Sequence, residues 1–233
     1  MEIIERAFAS GEGALDENAA KTILSNLGIS VPRGIVLDKG HSGAEALSRL
    51  KPPYVLKALS SEAIHKSEIG AVRLNLDDAE SVDRAMEEIR AQMAKADFPL
   101  TGFLLEEMVA PGHEIIIGGT IDATFGPMLM LGAGGIFAEI FQDVAFRLCP
   151  VDRRDAREML EDLKMAPILK GARGREAVDL DLIVNALVVL GGEDGFFTNN
   201  YHWLREFDLN PLICGPNSLI AVDSRMVLGK GRK

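Results

Sequence analysis

Two aspartates and an asparagine in the C-terminal part of the sequence are spaced so that they could hold a metal ion. Two apolar runs flank the turn-forming residues 215–218, a pattern typical of a β-hairpin. A four-residue loop sets a register in which Asn210 lies opposite Asp223, while Asp208 shares the face of Asn210 and lies opposite Arg225. Oxygen ligands converging on one point would suit Mg²⁺, which takes few protein ligands and leaves room for phosphates. The alternative is a solvated hairpin face without a metal.

Lys57 lies in the middle of a predicted apolar strand, residues 54–59, on the face that carries Val55 and Leu59. Burying an ammonium group without a partner is costly. The side chain therefore either extends along the protein surface until its charged end reaches water, or it directs a fixed positive charge toward a phosphate group. Both interpretations fit the spacing.

A group of carboxylates lies where another predicted strand ends. Glu106 and Glu107 close an apolar strand, and Glu114 follows a Pro-Gly turn. Carboxylates at a junction between two lobes can accept hydrogen bonds from ribose hydroxyl groups, and exposed backbone groups from Glu107 to Val109 can read the edge of an adenine ring. The alternative is a pair of glutamates on a solvated surface.

His65 stands in a loop over residues 60–70, among hydroxyl groups, Lys66 and two carboxylates. An imidazole nitrogen can act as a nucleophile toward phosphorus, which makes His65 a candidate phosphoryl carrier. The alternative is a loop histidine that is merely exposed. The four histidines of the chain show no spacing typical of a metal site.

The elements that must position these residues are a mixture of helices and strands. Apolar spacing and capping residues predict helices over 16–27, 42–50 and 78–96, one that begins at Asp152, and one over 179–190. Besides the hairpin, strands are predicted over 34–37, 54–59, 71–76, 101–109, 113–122, 126–131 and 137–148. The run Gly132-Ala133-Gly134-Gly135 would either let backbone N–H groups approach phosphates or allow strands to pack closely.

These elements predict an α+β fold of two lobes that are hinged near residues 106–112. The N-terminal lobe covers residues 1–108 and includes the histidine loop, 60–71. The C-terminal lobe covers residues 109–233 and includes the hairpin, 206–225. A chain of 233 residues is large enough for such a pair of lobes.

Composition restricts the class of protein. The formal net charge of −10 argues against nucleic acid as a partner, because no excess of Lys or Arg is present to neutralise phosphates. Cys149 and Cys214 are far apart in sequence, which favours free buried thiols over a disulfide or a zinc site. No secretion-signal pattern stands at the N-terminus, and no uncharged run reaches the roughly 18–20 residues that span a bilayer. The sequence therefore predicts a cytoplasmic protein that binds neither nucleic acid nor a membrane.

Taken together, the strand lysine, the hinge carboxylates, the glycine-flanked strands and the Asp-x-Asn-Pro hairpin resemble the ATP-grasp fold, which has a nucleotide site between two α+β lobes. Within that fold the chain resembles the β subunit of the nucleoside-diphosphate-forming acyl-CoA synthetases, whose type enzyme is ADP-forming acetyl-CoA synthetase. The resemblance covers essentially the whole chain. The motifs that carry it are His65-Lys66-Ser67-Glu68-Ile69-Gly70, Phe125-Gly126-Pro127, Gly134-Gly135-Ile136-Phe137-Ala138-Glu139, Leu169-Lys170-Gly171-Ala172-Arg173-Gly174 and Asp208-Leu209-Asn210-Pro211-Leu212.

The resemblance implies a role for each candidate residue. Lys57 would contact nucleotide phosphates, and Glu114 would bind the ribose. His65 would receive a phosphoryl group from a histidine of an α subunit and pass it to ADP. The remaining residues would form two sites: Glu106, Glu107 and Val109 line the adenine pocket, and Asp208, Asn210 and Asp223 hold Mg²⁺.

The reaction implied by the resemblance is reversible, in that acyl-CoA, phosphate and ADP give the acid, CoA and ATP. The chain would be part of an acid–thiol ligase, an ADP-forming acetate–CoA ligase, active only with a CoA-binding α subunit in an α2β2 heterotetramer. Its cofactors would be ATP or ADP and Mg²⁺. Two alternatives remain open: a stand-alone ATP-grasp ligase that phosphorylates a carboxylate directly, and a nucleotide-sensing regulatory subunit.

Overall fold

The computed structural model describes residues 2–38, 47–60, 69–135, 142–172 and 176–229. The chain forms two compact units. The larger unit consists of Met1–Leu15, Ala20–Val31 and Pro111–Lys233, and the smaller unit consists of Asp16–Ala19 and Pro32–Ala110.

Both units contain helices and strands. The helices are α1 (Glu2–Ala9), α2 (Glu17–Asn26), α3 (Ala79–Lys95), α4 (Arg153–Asp162), α5 (Ala166–Leu169), α6 (Leu180–Gly191) and α7 (Phe196–Asn200). The strands are β1 (Ala14–Leu15), β2 (Gly34–Leu37), β3 (Tyr54–Leu59), β4 (Val72–Leu76), β5 (Gly102–Glu107), β6 (His113–Asp122), β7 (Gly126–Ala133), β8 (Val144–Leu148), β9 (Leu204–Gly215), β10 (Ser218–Ala221) and β11 (Arg225–Leu228).

The smaller unit is a four-stranded antiparallel sheet in the order β2-β5-β3-β4, with α3 packed against β3 and β4. Helix α3 begins at a capping box, because the Asp78 carboxylate accepts a hydrogen bond from the Ser81 N–H and the Ser81 hydroxyl accepts one from the Asp78 N–H. The core between sheet and helix includes the fully buried side chains Met86, Ile89 and Phe103. Burying each side chain of this size contributes about 1.5–3 kcal/mol.

The larger unit is a seven-stranded sheet in the order β1-β11-β9-β6-β7-β8, with β10 paired to β9. Helix α4 packs on β8 and on α6, and α6 packs on β7, β10 and α7. Along β9, Phe207 and Leu209 are buried, whereas Asp208 and Asn210 point to the other face and are less buried. The alternation of β9 therefore fills the core with one face and leaves the other face polar.

Many predicted elements are confirmed. Strands β3 and β6 have the predicted bounds, and α3 carries the predicted buried stripe. Asp152 and Asp179 cap α4 and α6 as predicted. Cys149 and Cys214 are both free, Cys214 is buried and Cys149 partly buried, and burial raises the pKa of Cys214 to about 12.

Other predictions differ from the structure. Strand β5 is shorter than the predicted 101–109, and β8 begins at Val144, after residues 136–141, which lie outside the described residues. Most of the predicted helix over 42–50 also lies outside them. The prediction omitted α1, α5 and α7, which are at most 8 residues long and therefore give a weak periodic signal.

The two units do not follow the predicted boundaries 1–108 and 109–233. Residues 1–15 and 20–31 group with the C-terminal part of the chain, because Ala14 pairs with Val227 in β11 and Ser30 bridges to Ile220. Such pairing joins segments about 200 residues apart, which local sequence patterns do not reveal. The two units therefore differ from the predicted division at residues 1–15, 20–31 and 109–110.

Among the described residues, no helix is both long enough and apolar enough to cross a membrane.

Candidate functional site

The predicted hairpin register is confirmed. Cys214 pairs with Leu219 across the turn, and further along β9 Asp208 pairs with Arg225 in β11. Between these pairs the Val222 N–H donates a hydrogen bond to the Pro211 carbonyl oxygen at 3.1 Å. The register is thus the same before and after residues 222–224, as the sequence predicted.

The hairpin gathers charged and polar groups around Asp208. The Asn210 side chain forms a hydrogen bond with Asp208, and the charges of Arg225, Asp223 and Glu206 all act on it. Burial raises the pKa of Asp208 above its ordinary value, Arg225 and Asn210 oppose this rise, and the two neighbouring carboxylates add to it. Carboxylates that lie close together in a partly buried position repel one another, and a bound cation offsets this repulsion.

The donor set fits Mg²⁺. Asp208, Asn210 and Asp223 offer hard oxygen ligands, and Mg²⁺ keeps several waters or phosphate oxygens besides one or two carboxylates. In the described part of the chain no group of three or more His, Cys, Asp or Glu residues is arranged to hold a metal, and the set proposed here includes an asparagine. Two buried polar atoms next to this set, Ser224 Oγ and Arg225 Nε, have no hydrogen-bond partner among the described residues, which is consistent with a polar ligand at this place.

The Arg225 guanidinium forms an ion pair with Glu206, Nη2 to Oε1 at 2.8 Å. The residue directly opposite Arg225 in the predicted and observed register is Asp208. Arg225 also acts electrostatically on Asp208, but its close partner is the next carboxylate along the same face of β9.

In the smaller unit, Lys57 is buried and held by two carboxylates. Its Nζ lies 2.5 Å from Glu17 Oε1 and 3.2 Å from Glu106 Oε2. Only 6% of Lys57 is exposed, so the alternative in which its charged end reaches water is wrong. Lys57 pairs directly with Leu104 across β3 and β5, and Glu106 follows on the same face two residues later.

Glu107, at the end of β5, is hydrogen-bonded to other residues of the smaller unit. Glu107 Oε1 accepts a hydrogen bond from the Lys51 N–H at 3.0 Å. The Glu107 N–H donates to the Arg33 carbonyl oxygen and the Met108 N–H donates to the Pro53 carbonyl oxygen, both at 2.8 Å. These two N–H groups are therefore already used, and a contact with adenine would come from other groups of this segment. The role of Val109 in the adenine pocket stays a prediction.

Glu114 lies on β6 in the larger unit, against the glycine-rich run. Its carbonyl oxygen accepts a hydrogen bond from the Gly134 N–H at 2.8 Å. A Cβ atom at Gly134 would lie 2.7 Å from Glu114 Cβ, and one at Gly135 would lie 3.0 Å from Glu114 Oε2. Close packing, one of the two interpretations of this run, therefore explains Gly134, while the exposed Glu114 carboxylate lies beside Gly135.

Replacing Gly134 with alanine is expected to lower the free energy of unfolding by about 1–3 kcal/mol, because the added methyl group meets backbone atoms of Glu114 that must shift. Urea denaturation of the full chain measures the change. Gly13→Ala is the matched control, since a Cβ atom there has nothing within 4 Å. Equal midpoints for the two variants would contradict the close contact.

Other predicted residues fall elsewhere. His65 and Arg173 lie outside the described residues. Of the predicted site residues, Lys57 and Glu106 form an ion pair in the smaller unit. In the larger unit the structure brings together Asp208, Asn210 and Asp223.

Two buried charged residues of helix α2 were not among the predictions. Glu17, 1% exposed, pairs with Lys57, and Lys21, 4% exposed, donates a hydrogen bond from Nζ to the Val222 carbonyl oxygen at 2.8 Å. Both lie in α2, four residues apart. In sequence this spacing is typical of a solvated ion pair on a helix surface, so no local signal distinguishes the two residues.

Comparison with protein families gives one match over most of the chain. The family model of the ATP-grasp domain matches residues 6–228. The beta subunit of ADP-forming acetate–CoA ligase I from Pyrococcus furiosus is 37% identical over 229 residues, which covers 97% of this chain and 97% of that protein.

Solved structures give the same result. The chain is similar to the dinucleotide-forming acetyl-coenzyme A synthetase 1 of Candidatus Korarchaeum cryptofilum in complex with coenzyme A, Ca-AMPCP and HgCl⁺, with a TM-score of 0.89, 36% identity and coverage of 98% of this chain and 99% of that chain. A second structure of that enzyme, with coenzyme A and Mg-AMPPCP, has its phosphohistidine segment pointing towards the nucleotide binding site. Its TM-score is 0.82 at 34% identity, and the match covers 98% of this chain and 99% of that chain.

Proposed function

The chain belongs to the ATP-grasp family and, within it, to the ADP-forming acetate–CoA ligase beta subunits, and on that premise we propose that it is the nucleotide-binding half of an acyl-CoA synthetase. The reaction is acyl-CoA plus phosphate plus ADP giving acid plus CoA plus ATP, in both directions. The observation that carries the proposal is the hairpin register of β9 with β10 and β11, which supports Asp208, Asn210 and Asp223 as the hard oxygen ligands that we propose.

The residues of the larger unit would bind the metal and the sugar. Asp208, Asn210 and Asp223 would hold Mg²⁺, which when bound neutralises charge on the nucleotide phosphates. Glu114 would accept hydrogen bonds from the ribose hydroxyl groups, since its carboxylate is exposed and lies beside Gly135.

The residues of the smaller unit would bind the phosphates and the base. Lys57 would place its ammonium group against a phosphate, because its position is set by two carboxylates. Glu106, Glu107 and Val109 would border the adenine. The carboxylate of Glu106 is directed to Lys57.

His65 would carry the phosphoryl group. A nitrogen of its neutral imidazole would attack the phosphorus atom on a histidine of the α subunit, so that one P–N bond forms while the other breaks. A terminal phosphate oxygen of ADP would then attack the same phosphorus atom, which forms ATP and returns the neutral imidazole. The phosphohistidine segment of the relative from Korarchaeum supports this assignment.

The partner of this chain would be a CoA-binding α subunit. The relative from Pyrococcus is a beta subunit, which implies a second subunit. An α2β2 heterotetramer is the assembly that we propose, with the choice of acyl group made by the α subunit. The cytoplasmic location stays a prediction.

Calorimetric titration of ADP into the chain, alone and with its α subunit, tests the proposal. We expect binding in the presence of Mg²⁺ and affinity at least about tenfold lower when the metal is removed by a chelator. Absence of ADP binding in both preparations would contradict a nucleotide-binding subunit.

A further inference from the structure

Three charged side chains of the smaller unit form a cluster that is almost closed to water. The exposed fractions of the side chains are 7% for Lys57, 0% for Glu17 and 3% for Glu106. Charges at this depth are stable only when they are paired and hydrogen-bonded. Here one ammonium group is paired with two carboxylates.

The two carboxylates approach Lys57 from different elements. Glu106 extends from β5, the strand next to β3, and lies diagonally across from Lys57 on the same face of the sheet. Glu17 is the first residue of α2, where the Asp16 carboxylate accepts a hydrogen bond from the Ala19 N–H at 2.8 Å and so fixes the first turn. The N-terminal end of a helix also favours a negative charge, which makes it a suitable support for a buried carboxylate.

A lysine side chain is a point charge on a flexible four-carbon stem, so it needs partners to hold one position. One carboxylate restrains the ammonium group to an arc, whereas two carboxylates on separate elements restrain it to one place. The shorter of the two ion pairs is the one with Glu17, 2.5 Å against 3.2 Å for Glu106. The helix-borne carboxylate is therefore the closer of the two restraints on the Lys57 ammonium.

We propose that Glu17 is a positioning residue, which holds the Lys57 ammonium group where it binds a phosphate of the nucleotide. The proposal rests on the nucleotide-binding function proposed above. It gives Glu17 a role that acts through Lys57 and does not require contact between Glu17 and the nucleotide.

Two physical effects of Glu17 on nucleotide binding have opposite signs. A carboxylate close to a phosphate repels it, so removing the charge alone would tighten the binding of ADP. Loss of the restraint on Lys57 would weaken it, because an ammonium group that is free to move must be ordered again when the phosphate binds. The proposal states that the second effect is larger.

The test is Glu17→Gln, which keeps the shape and a hydrogen-bond acceptor but removes the charge. We expect the affinity for Mg·ADP to fall about tenfold, in the range for loss of an outer partner that orients a binding group. The affinity for adenosine should not change, because adenosine has no phosphate for Lys57 to bind. Displacement of a fluorescent N-methylanthraniloyl-adenosine from the full chain measures both affinities.

Two reference variants show how large the loss of ADP affinity is expected to be with and without an effect on Lys57. Lys57→Met should show the same selective loss of ADP affinity, and a larger one. Glu88→Gln should leave both affinities unchanged, because Glu88 forms its ion pair with Arg73 on the surface of the same unit. If Glu17→Gln does not fold, Glu17→Asp replaces it, since aspartate keeps the charge but withdraws it by one methylene group, and the same selective loss is expected.

Each other outcome overturns the inference. Equal losses of ADP and adenosine affinity would mean that Glu17 only supports the fold. Unchanged ADP affinity would mean that Lys57 holds its position without Glu17, and tighter ADP binding would mean that Glu17 acts by repulsion. A wild-type chain that binds no ADP would instead refute the proposed function, so the two failures are distinguishable.

Discussion

Replacing His65 with asparagine is expected to abolish ATP formation by the chain assembled with its α subunit, while the affinity for Mg·ADP stays unchanged. Asparagine has an amide of similar size but no nitrogen that can attack phosphorus. The phosphoryl group would then have no acceptor on this chain, and the transfer to ADP would stop at that step.

The reverse reaction gives a direct measurement of this step. Incubation of the wild-type chain with radiolabelled ATP and Mg²⁺ should transfer the terminal phosphoryl group to His65 and release ADP. The labelled protein should lose its phosphate in acid and keep it in base, as a phosphohistidine does. His65→Asn should remain unlabelled.

His202 provides the matched control for His65. It lies in the turn just before β9, and its ring contacts that of Tyr201 in a tilted arrangement, with ring centroids 4.1 Å apart. His202→Asn should be labelled as the wild type is. Normal turnover by the His65 variant, or labelling of it, would contradict the relay and favour a stand-alone ligase that transfers the phosphoryl group without a histidine.

Replacing Asp208 with asparagine is expected to weaken the binding of Mg·ADP by roughly a hundredfold, the upper end of the range for disturbed metal sites. The substitution keeps the size of the side chain but removes a negative ligand from the site. The binding of ADP without Mg²⁺ should stay the same or become tighter, since a carboxylate that repels phosphate is lost. Titration calorimetry with and without the metal separates the two effects.

The same variant has an expected effect on stability. Burial raises the pKa of Asp208 in the folded chain, so without metal this carboxyl stabilises the fold at low pH, and that stabilisation is lost as the pH rises through the raised pKa. Asp208→Asn should therefore unfold at a higher temperature than the wild type at neutral pH in chelator. Mg²⁺ should raise the unfolding temperature of the wild type and have little effect on the variant.

Asp162→Asn is the control for Asp208. The Asp162 carboxylate forms a surface ion pair with Arg147 and is half exposed, so its loss should change neither metal binding nor stability appreciably. If Asp208→Asn and Asp162→Asn bound Mg·ADP equally well, the hairpin would be the solvated face that the sequence left as an alternative.

The hairpin was predictable because its signals are local. The turn-forming residues 215–218 indicated the pairing of Cys214 with Leu219, although the loop itself is shorter than the predicted four residues because Gly215 pairs with Ser218. The period of two along each strand then places Asp208, Asn210 and Asp223. The neighbours of Asp208 on the same face, Glu206 and Arg225, follow from the same period. Their ion pair with each other was not predicted, because both diagonal and direct partners are within reach of an arginine side chain.

The cluster around Lys57 was only partly predictable. Lys57 in an apolar strand indicated a buried charge, but its partners depend on the pairing of β3 with β5, two strands between which β4 and α3 intervene in sequence. Glu17 was not predictable at all from local pattern. An acidic residue in the first turn of a helix is common because it complements the helix dipole, so nothing marks this one as buried.

The glycine-rich run over residues 132–135 shows a similar limit of prediction from sequence. Gly134 was assigned either to phosphate binding or to close packing, and its spacing alone does not separate the two. A Cβ atom at this position would lie 2.7 Å from Glu114 Cβ, which favours the interpretation that Gly134 allows close packing. This short distance follows from the pairing of β6 with β7. Contacts between strands, and not the residues themselves, carry that information.

The most direct test of the account is ATP formation from acetyl-CoA, phosphate and Mg·ADP by this chain with and without a cognate CoA-binding α subunit. The account predicts that neither chain forms ATP alone and that the mixture forms it with release of acetate and CoA. ATP formation by this chain alone would contradict the account, as would a mixture that binds Mg·ADP but forms no ATP.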